Sequence, residues 1–155
     1  MASEPTDFTF RVTEKPEEIA IVIAGTLDET TEMAIPDVRG RRVVIDAQGV
    51  TRVNSMGVRA WVEMMTELSA RTRHIVVMRV PAVLVTQASM ISTFFGSAQI
   101  HSFMSPWVCL SCENSLEQLH GAADPVPQTI PCPKCGSQME LDWDRDSYLA
   151  FRGGR

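Results

Sequence analysis

Val43–Val44–Ile45–Asp46–Ala47–Gln48–Gly49–Val50–Thr51–Arg52–Val53–Asn54–Ser55–Met56–Gly57–Val58 runs from a β-branched segment through a glycine to the start of a helix. Val43 to Asp46 suits a strand buried on both faces, and the pair Gln48–Gly49 predicts the turn that closes it. Beyond it, Val58, Trp61, Val62, Met65 and Leu68 recur at helical spacing, with Arg59, Glu63, Thr66 and Glu67 off that stripe. This predicts an amphipathic helix over Gly57–Ala70, with Trp61 and Met65 in the core. Asn54 or Ser55 is its natural N-cap, because either side chain can accept an orphan amide hydrogen of the first turn. Met56 and Arg59 face away from the core and are contact candidates.

Working outward, Phe8–Val12 alternates apolar and polar residues and predicts a half-buried strand. Ile19–Ala24 predicts a strand buried on both faces, ended by Gly25. Residues 29–38 read as a short helix whose last turn Pro36 breaks. Ile75–Met78 predicts another buried strand. Pro81 can open a helix from Ala82 to Phe95, stopped at Gly96 and using some of Met90, Phe94 and Phe95 as core, and Ile100–Met104 predicts a further strand. Alternating strands and helices imply an α/β fold with a mixed, largely parallel sheet covered by helices.

All four cysteines lie after residue 108, which divides the chain into residues 1–106 and 107–155. Their spacing is Cys109-x2-Cys112, nineteen residues, then Cys132-x2-Cys135. Two cysteines three apart on a tight turn aim both sulfurs at one point, and two such turns complete a tetrahedron for a structural Zn2+. Pro131 and Pro133 stiffen the second turn, and Gly136 can take the positive φ that follows it. Disulfides do not suit a reducing compartment and a redox Cys-x-x-Cys normally occurs once; an iron–sulfur centre is the alternative left open, without a more specific spacing to favour it. His101 is a spare ligand at most, because four thiolates already fill the tetrahedron.

The chain has 155 residues, 45% hydrophobic and 21% charged, with a net charge of -5. Residues 107–155 carry 7 Asp/Glu against 4 Lys/Arg, which disfavours phosphate and nucleic acid as partners. Arg39, Arg41 and Arg42 form a small basic cluster that reads as a solvated loop. No apolar run approaches a membrane span, and Met1–Arg11 lacks the apolar core of a secretory signal, so a cytoplasmic setting is expected. No Ser–His–Asp or Cys–His arrangement, dinucleotide fingerprint or phosphate loop stands out, so catalysis is not expected.

Two resemblances follow from these residues. Trp107 to Phe151 is similar to the zinc-ribbon family, two cysteine knuckles each followed by a β-hairpin. Gln138–Leu141 and Tyr148–Phe151 are then the strands flanking the acidic turn Asp142–Asp146, and Glu113 stands where a glycine is common. Phe8 to Met104 resembles the STAS domain family, the fold of bacterial anti-sigma factor antagonists and sulfate-transporter tails. Asp46 matches its strand-end aspartate, Ser55 its phosphorylatable serine, Gly57 the glycine of the helix's first turn, and Gly25–Thr26–Leu27–Asp28 its Gly-x-Leu-Asp. Asn54 replaces the usual aspartate before the serine, and the zinc module stands in for the family's C-terminal helix.

The resemblance implies a regulatory protein–protein interaction module of bacterial signalling and transcription control. A switch at Ser55 would be flanked by partner-binding Asp28, Asn54, Met56, Gly57 and Arg59. The implied partner is a serine-kinase-type anti-sigma factor or a relative, with the zinc ribbon as a second docking surface. The competing expectation is a zinc-ribbon transcription-associated or nucleic-acid-binding factor whose α/β part is scaffold.

Overall fold

A computed structural model of the chain describes residues 7–153. Of Met1–Arg11, read as lacking a secretory signal, residues 1–6 lie outside the described residues. The first sheet has five strands in the order β1 (Thr9–Glu14), β2 (Glu18–Leu27), β3 (Arg42–Val53), β4 (Ile75–Met78) and β5 (Gln99–Ile100). β1 runs antiparallel to β2, and each later neighbour is parallel to the one before, so the sheet is mixed and largely parallel.

β3 is the main departure from the sequence reading. It continues past Gln48–Gly49 to Val53, and the pairing with β2 shifts register twice on the way, between Val22 and Ala24 and between Gly25 and Thr26. In each shift β3 advances one residue more than β2, so a bulge stands where a turn was expected. Gly49 fits there because a Cβ on it would lie 2.6 Å from the Cβ of Ala24. The bulge keeps alternation intact on either side: Val43, Ile45 and Ala47 point inward before it, and Val50 after it.

Residues 29–38 are irregular rather than helical. Thr30 folds back on Asp28 by donating its amide (2.9 Å) and hydroxyl (2.6 Å) to Oδ1, a local turn that competes with a helix start. Helix α1 (Ser55–Arg71) buries Trp61, Met64, Met65 and Leu68, and helix α2 (Ala82–Ala88) buries Leu84 and Val85. α2 stops well short of Phe95, and turns follow to Gly96 at φ +55°. Phe94 nevertheless stacks on Trp61 with ring centroids 5.5 Å apart, and its carbonyl accepts the indole N–H at 2.9 Å. Met90 is 66% exposed and contributes nothing to the core. Both helices and Val38 of the β2–β3 connection pack on the face carrying Ile21, Ile45 and Val77. That placement follows from right-handed crossovers between sequential parallel strands.

A second, antiparallel sheet follows, in the order β7 (Ser115–Gly121), β6 (Ser102–Cys109), β9 (Gln138–Leu141) and β8 (Thr129–Pro131). It begins at Ser102, within the segment expected to close the first domain. β6 is tied to the end of β4 through Val80, whose amide donates to the Ser102 carbonyl at 3.1 Å and whose carbonyl accepts from Met104 at 2.8 Å. Tyr148–Phe151, expected as a strand, instead spans two short helical turns, α3 (Arg145–Tyr148) and α4 (Ala150–Gly153). Asp144 caps the first by accepting the Ser147 amide, and Tyr148 is buried with its hydroxyl donating to the Met104 carbonyl at 2.5 Å. Phe151 then wedges between Phe95 and Phe103, with centroids at 6.3 and 5.1 Å, and joins the two sheets' cores.

Candidate metal centre and helix-cap site

The four cysteines sit at the tips of two hairpins. Cys109 ends β6 and Cys112 precedes β7, while Cys132 and Cys135 lie between β8 and β9. Both tips use the same hydrogen bonds. In the first, the Cys109 amide donates to the Asn114 carbonyl (2.8 Å) and the Glu113 amide to the Cys109 carbonyl (2.8 Å). In the second, Cys132 donates to Ser137 (2.7 Å) and Gly136 to Cys132 (2.9 Å). The residue after each second cysteine is left-handed, Glu113 at φ +65° and Gly136 at φ +81°. The first knuckle thus adopts the glycine conformation without the glycine.

All four Sγ atoms lie within 4.8 Å of one another. Cys109 and Cys135 are 3.5 Å apart and Cys112 and Cys132 3.7 Å, with all four free of disulfides. A tetrahedron with metal–sulfur bonds of about 2.3 Å has edges of about 3.8 Å. These separations therefore suit one metal ion at the centre and are far too long for a disulfide. The Lys134 amide points at Cys132 Sγ (3.4 Å) and Asn114 Nδ2 at the same sulfur (3.8 Å), as donors to a thiolate should.

The four thiols are electrostatically linked. At Cys132, burial opposes ionisation, but the backbone amides of Cys135 and Lys134 and the thiols of Cys112 and Cys135 together bring the thiol down to about 6. Hydrogen bonds from the Ser137 side chain and backbone lower Cys135 as well. At Cys112 a bond from the Asn114 backbone favours the thiolate, yet burial and the three other sulfurs push it up to about 12. Such a cluster resists holding four bare negative charges, and a bound cation removes that resistance.

The serine turn lies on the other sheet. Asn54 is the N-cap: its Oδ1 accepts the Gly57 amide at 2.9 Å, and its Nδ2 donates to Glu29 at 3.1 Å. Ser55 is therefore the first helical residue, released from the cap, and it is exposed. Met56 (48% exposed) and Arg59 are exposed beside it, and Arg59 pairs with Glu63 at 3.3 Å. Gly57 is buried against the end of β2, where a Cβ would lie 2.0 Å from the Leu27 carbonyl oxygen. The Asn54 amide also donates to that carbonyl, so the helix mouth is fastened to Leu27–Asp28.

Asp28 stands at this end of the sheet. Hydrogen bonds from the Thr30 side chain and then its backbone hold its carboxyl below the usual carboxylate range. Asp46, matched to a strand-end aspartate, lies inside β3, which runs on to Val53, and so stands away from the Ser55 turn. It faces the other side of the sheet and forms a two-pronged ion pair with Arg79. It also lies seven residues up β3 from Val53, roughly 20 Å along a strand. The alternation of β3 held this signal, since Asp46 falls out of phase with the inward Val43, Ile45 and Ala47.

A buried polar chain in the second sheet escaped the sequence reading. Trp107 Nε1 donates to Ser105 Oγ at 2.8 Å, and Ser105 Oγ lies 2.6 Å from His120 Nε2. Burial first, then the nearby Arg152 charge, pushes the His120 imidazole below its ordinary value, against a smaller opposing pull from Asp124. His101 is exposed and bonds to Ser102 rather than joining the cysteines. No family model and no curated protein matches the chain.

Proposed function

We propose that the protein is a regulatory protein–protein interaction module of the anti-sigma factor antagonist kind. Its STAS-like domain is switched at Ser55, and a zinc ribbon serves as a second docking surface. The observation that carries this reading is the division of labour at the helix mouth. Asn54 occupies the cap, and Ser55 is left exposed at the N-terminal end of a 17-residue helix. A serine engaged in capping would have no free hydroxyl to modify. This one is placed where first-turn amides and the helix dipole favour an added anion.

Phosphorylation adds about -1.5 to -2 charge. With Asp28 and Glu29 close by, that charge turns the docking end strongly negative and expels a partner fitted to Ser55, Met56 and Arg59. The partner in this reading is a serine-kinase-type anti-sigma factor or a relative. Zn2+ supports the second surface by closing the four-thiolate tip, without an open position for chemistry. Leu110, 70% exposed at that tip, gives it an apolar contact. The reduced thiols fit a cytoplasmic setting, and no described helix is long and apolar enough to cross a membrane.

The test is co-purification from the native host with Ser55→Ala and Ser55→Asp. The proposal expects Ser55→Ala to retain the partner and Ser55→Asp to release it. Equal recovery by both variants contradicts it.

A further inference from the structure

Parallel sheets are normally covered on both faces. Here β2, β3, β4 and β5 run parallel, yet α1, α2 and the β2–β3 connection all pack on one side. The opposite face presents Ala20, Val22, Val44, Val76 and Met78, which alternate with the inward residues and stand apart from the core. Val22, at the β2 edge of this strip, is 43% exposed. The sequence of these strands is that of strands buried on both faces, and the described residues supply only one cover.

The rim of this strip has a charge of its own. Arg11 stands beside Val22 across the β1–β2 pairing, and Arg42 precedes Val44 on the same side of β3. At the strand starts, Arg42, Arg73, His74, Val76 and Gln99 line a cavity of about 280 Å3. Glu18 faces the same way opposite Arg42, and Asp46, which stands within the strip between Val22 and Met78, is neutralised by Arg79. The face thus carries four arginines against two carboxylates, on a chain whose net charge is -5.

We propose that this helix-free face is an interaction surface for an acidic amphipathic helix of a partner protein, which supplies the missing layer of the sheet. Its apolar side covers the valine strip, and its carboxylates meet the Arg42–Arg73–His74 cavity and Arg11. Helices are what cover parallel sheets, and apolar side chains around one neutralised ion pair, with charges at the rim, fit the anatomy of an interface. A second copy fits poorly, because two such faces set back to back confront one cationic surplus with another. The surface is separate from the Ser55 end and does not depend on it.

The test uses a synthetic amphipathic helix with leucines on one side and glutamates flanking them, and a twin with lysines for glutamates. Each is titrated against the full chain supplied with zinc. The glutamate peptide should bind at least about tenfold more tightly than its twin. Val22→Glu and Arg42→Glu, checked for unchanged melting, should each weaken it by about tenfold, and Ser55→Asp should leave it unchanged. Equal binding of the twins, no binding, or insensitivity to Val22→Glu and Arg42→Glu overturns the proposal. So does a sedimenting dimer that Val22→Glu dissociates, which makes the occupant a second copy.

Discussion

Asn54 and Ser55 are adjacent, yet their side chains have opposite commitments, and substitution separates them. Asn54→Ala removes the acceptor of the Gly57 amide and should cost about 1 kcal/mol in urea unfolding. Ser55→Ala touches no such bond and should stay within about 0.5 kcal/mol of the parent. The two knuckles allow a second paired comparison. A Cβ on Gly136, at φ +81°, would meet nothing within 4 Å, so Gly136→Ala is opposed by backbone conformation alone and should lower stability by about 1 kcal/mol. Glu113 already bears that strain at φ +65°. Glu113→Gly should therefore raise stability by about 0.5 kcal/mol, the relief exceeding the added freedom of the unfolded chain. Metal-saturated thermal unfolding reads both.

At the scale of elements, the second sheet depends on two arrangements, the part-buried sulfur cluster and the buried Trp107–Ser105–His120 chain. His120 takes up a proton less readily in the folded chain than at its ordinary value of 6.5. The unfolded chain thus binds more protons as pH falls below 6.5, and folded stability is lost on acidification and regained above it. Trp107 fluorescence should follow this transition, and His120→Phe should flatten it. Stripping the metal with a chelator should collapse the order of β6 through β9, because the cluster joins both hairpin tips. Far-ultraviolet circular dichroism and amide exchange read that loss, and unchanged β6–β9 protection contradicts a structural role for the ion.

The order of strands and helices was legible where the pattern was strong, in the long stripe of α1 and the short apolar run of β4, and so was the cysteine set, because ligand spacing is a local property. The bulge in β3 was not legible. Gln48–Gly49 is a turn signal locally, and only pairing with β2 shows that the strand runs on. The tail Tyr148–Phe151 misled for a similar reason: its apolar residues suit a strand, but Asp144 caps a helical turn and Phe151 fills a gap between two sheets. The His120 chain joins residues fifteen apart across the β6–β7 pairing, and a scattered histidine carries no sign of that.

Across the whole molecule, an aromatic path from Trp61 on the serine helix through Phe94, Phe95 and Phe151 reaches Phe103 in the sheet that carries the four cysteines. The serine end, the sheet face and the metal tip are therefore parts of one packed body with three distinct surfaces. Their charges differ: carboxylates gather at the serine end, and arginines surround the open sheet face. The decisive measurement is native mass spectrometry of the chain purified from its host, comparing partner-bound and free fractions for phosphate and metal. A docking switch at Ser55 requires one metal ion in both fractions and phosphate on Ser55 only in the free one. Phosphate on Ser55 at the same level in both fractions, or at no time on Ser55, contradicts it.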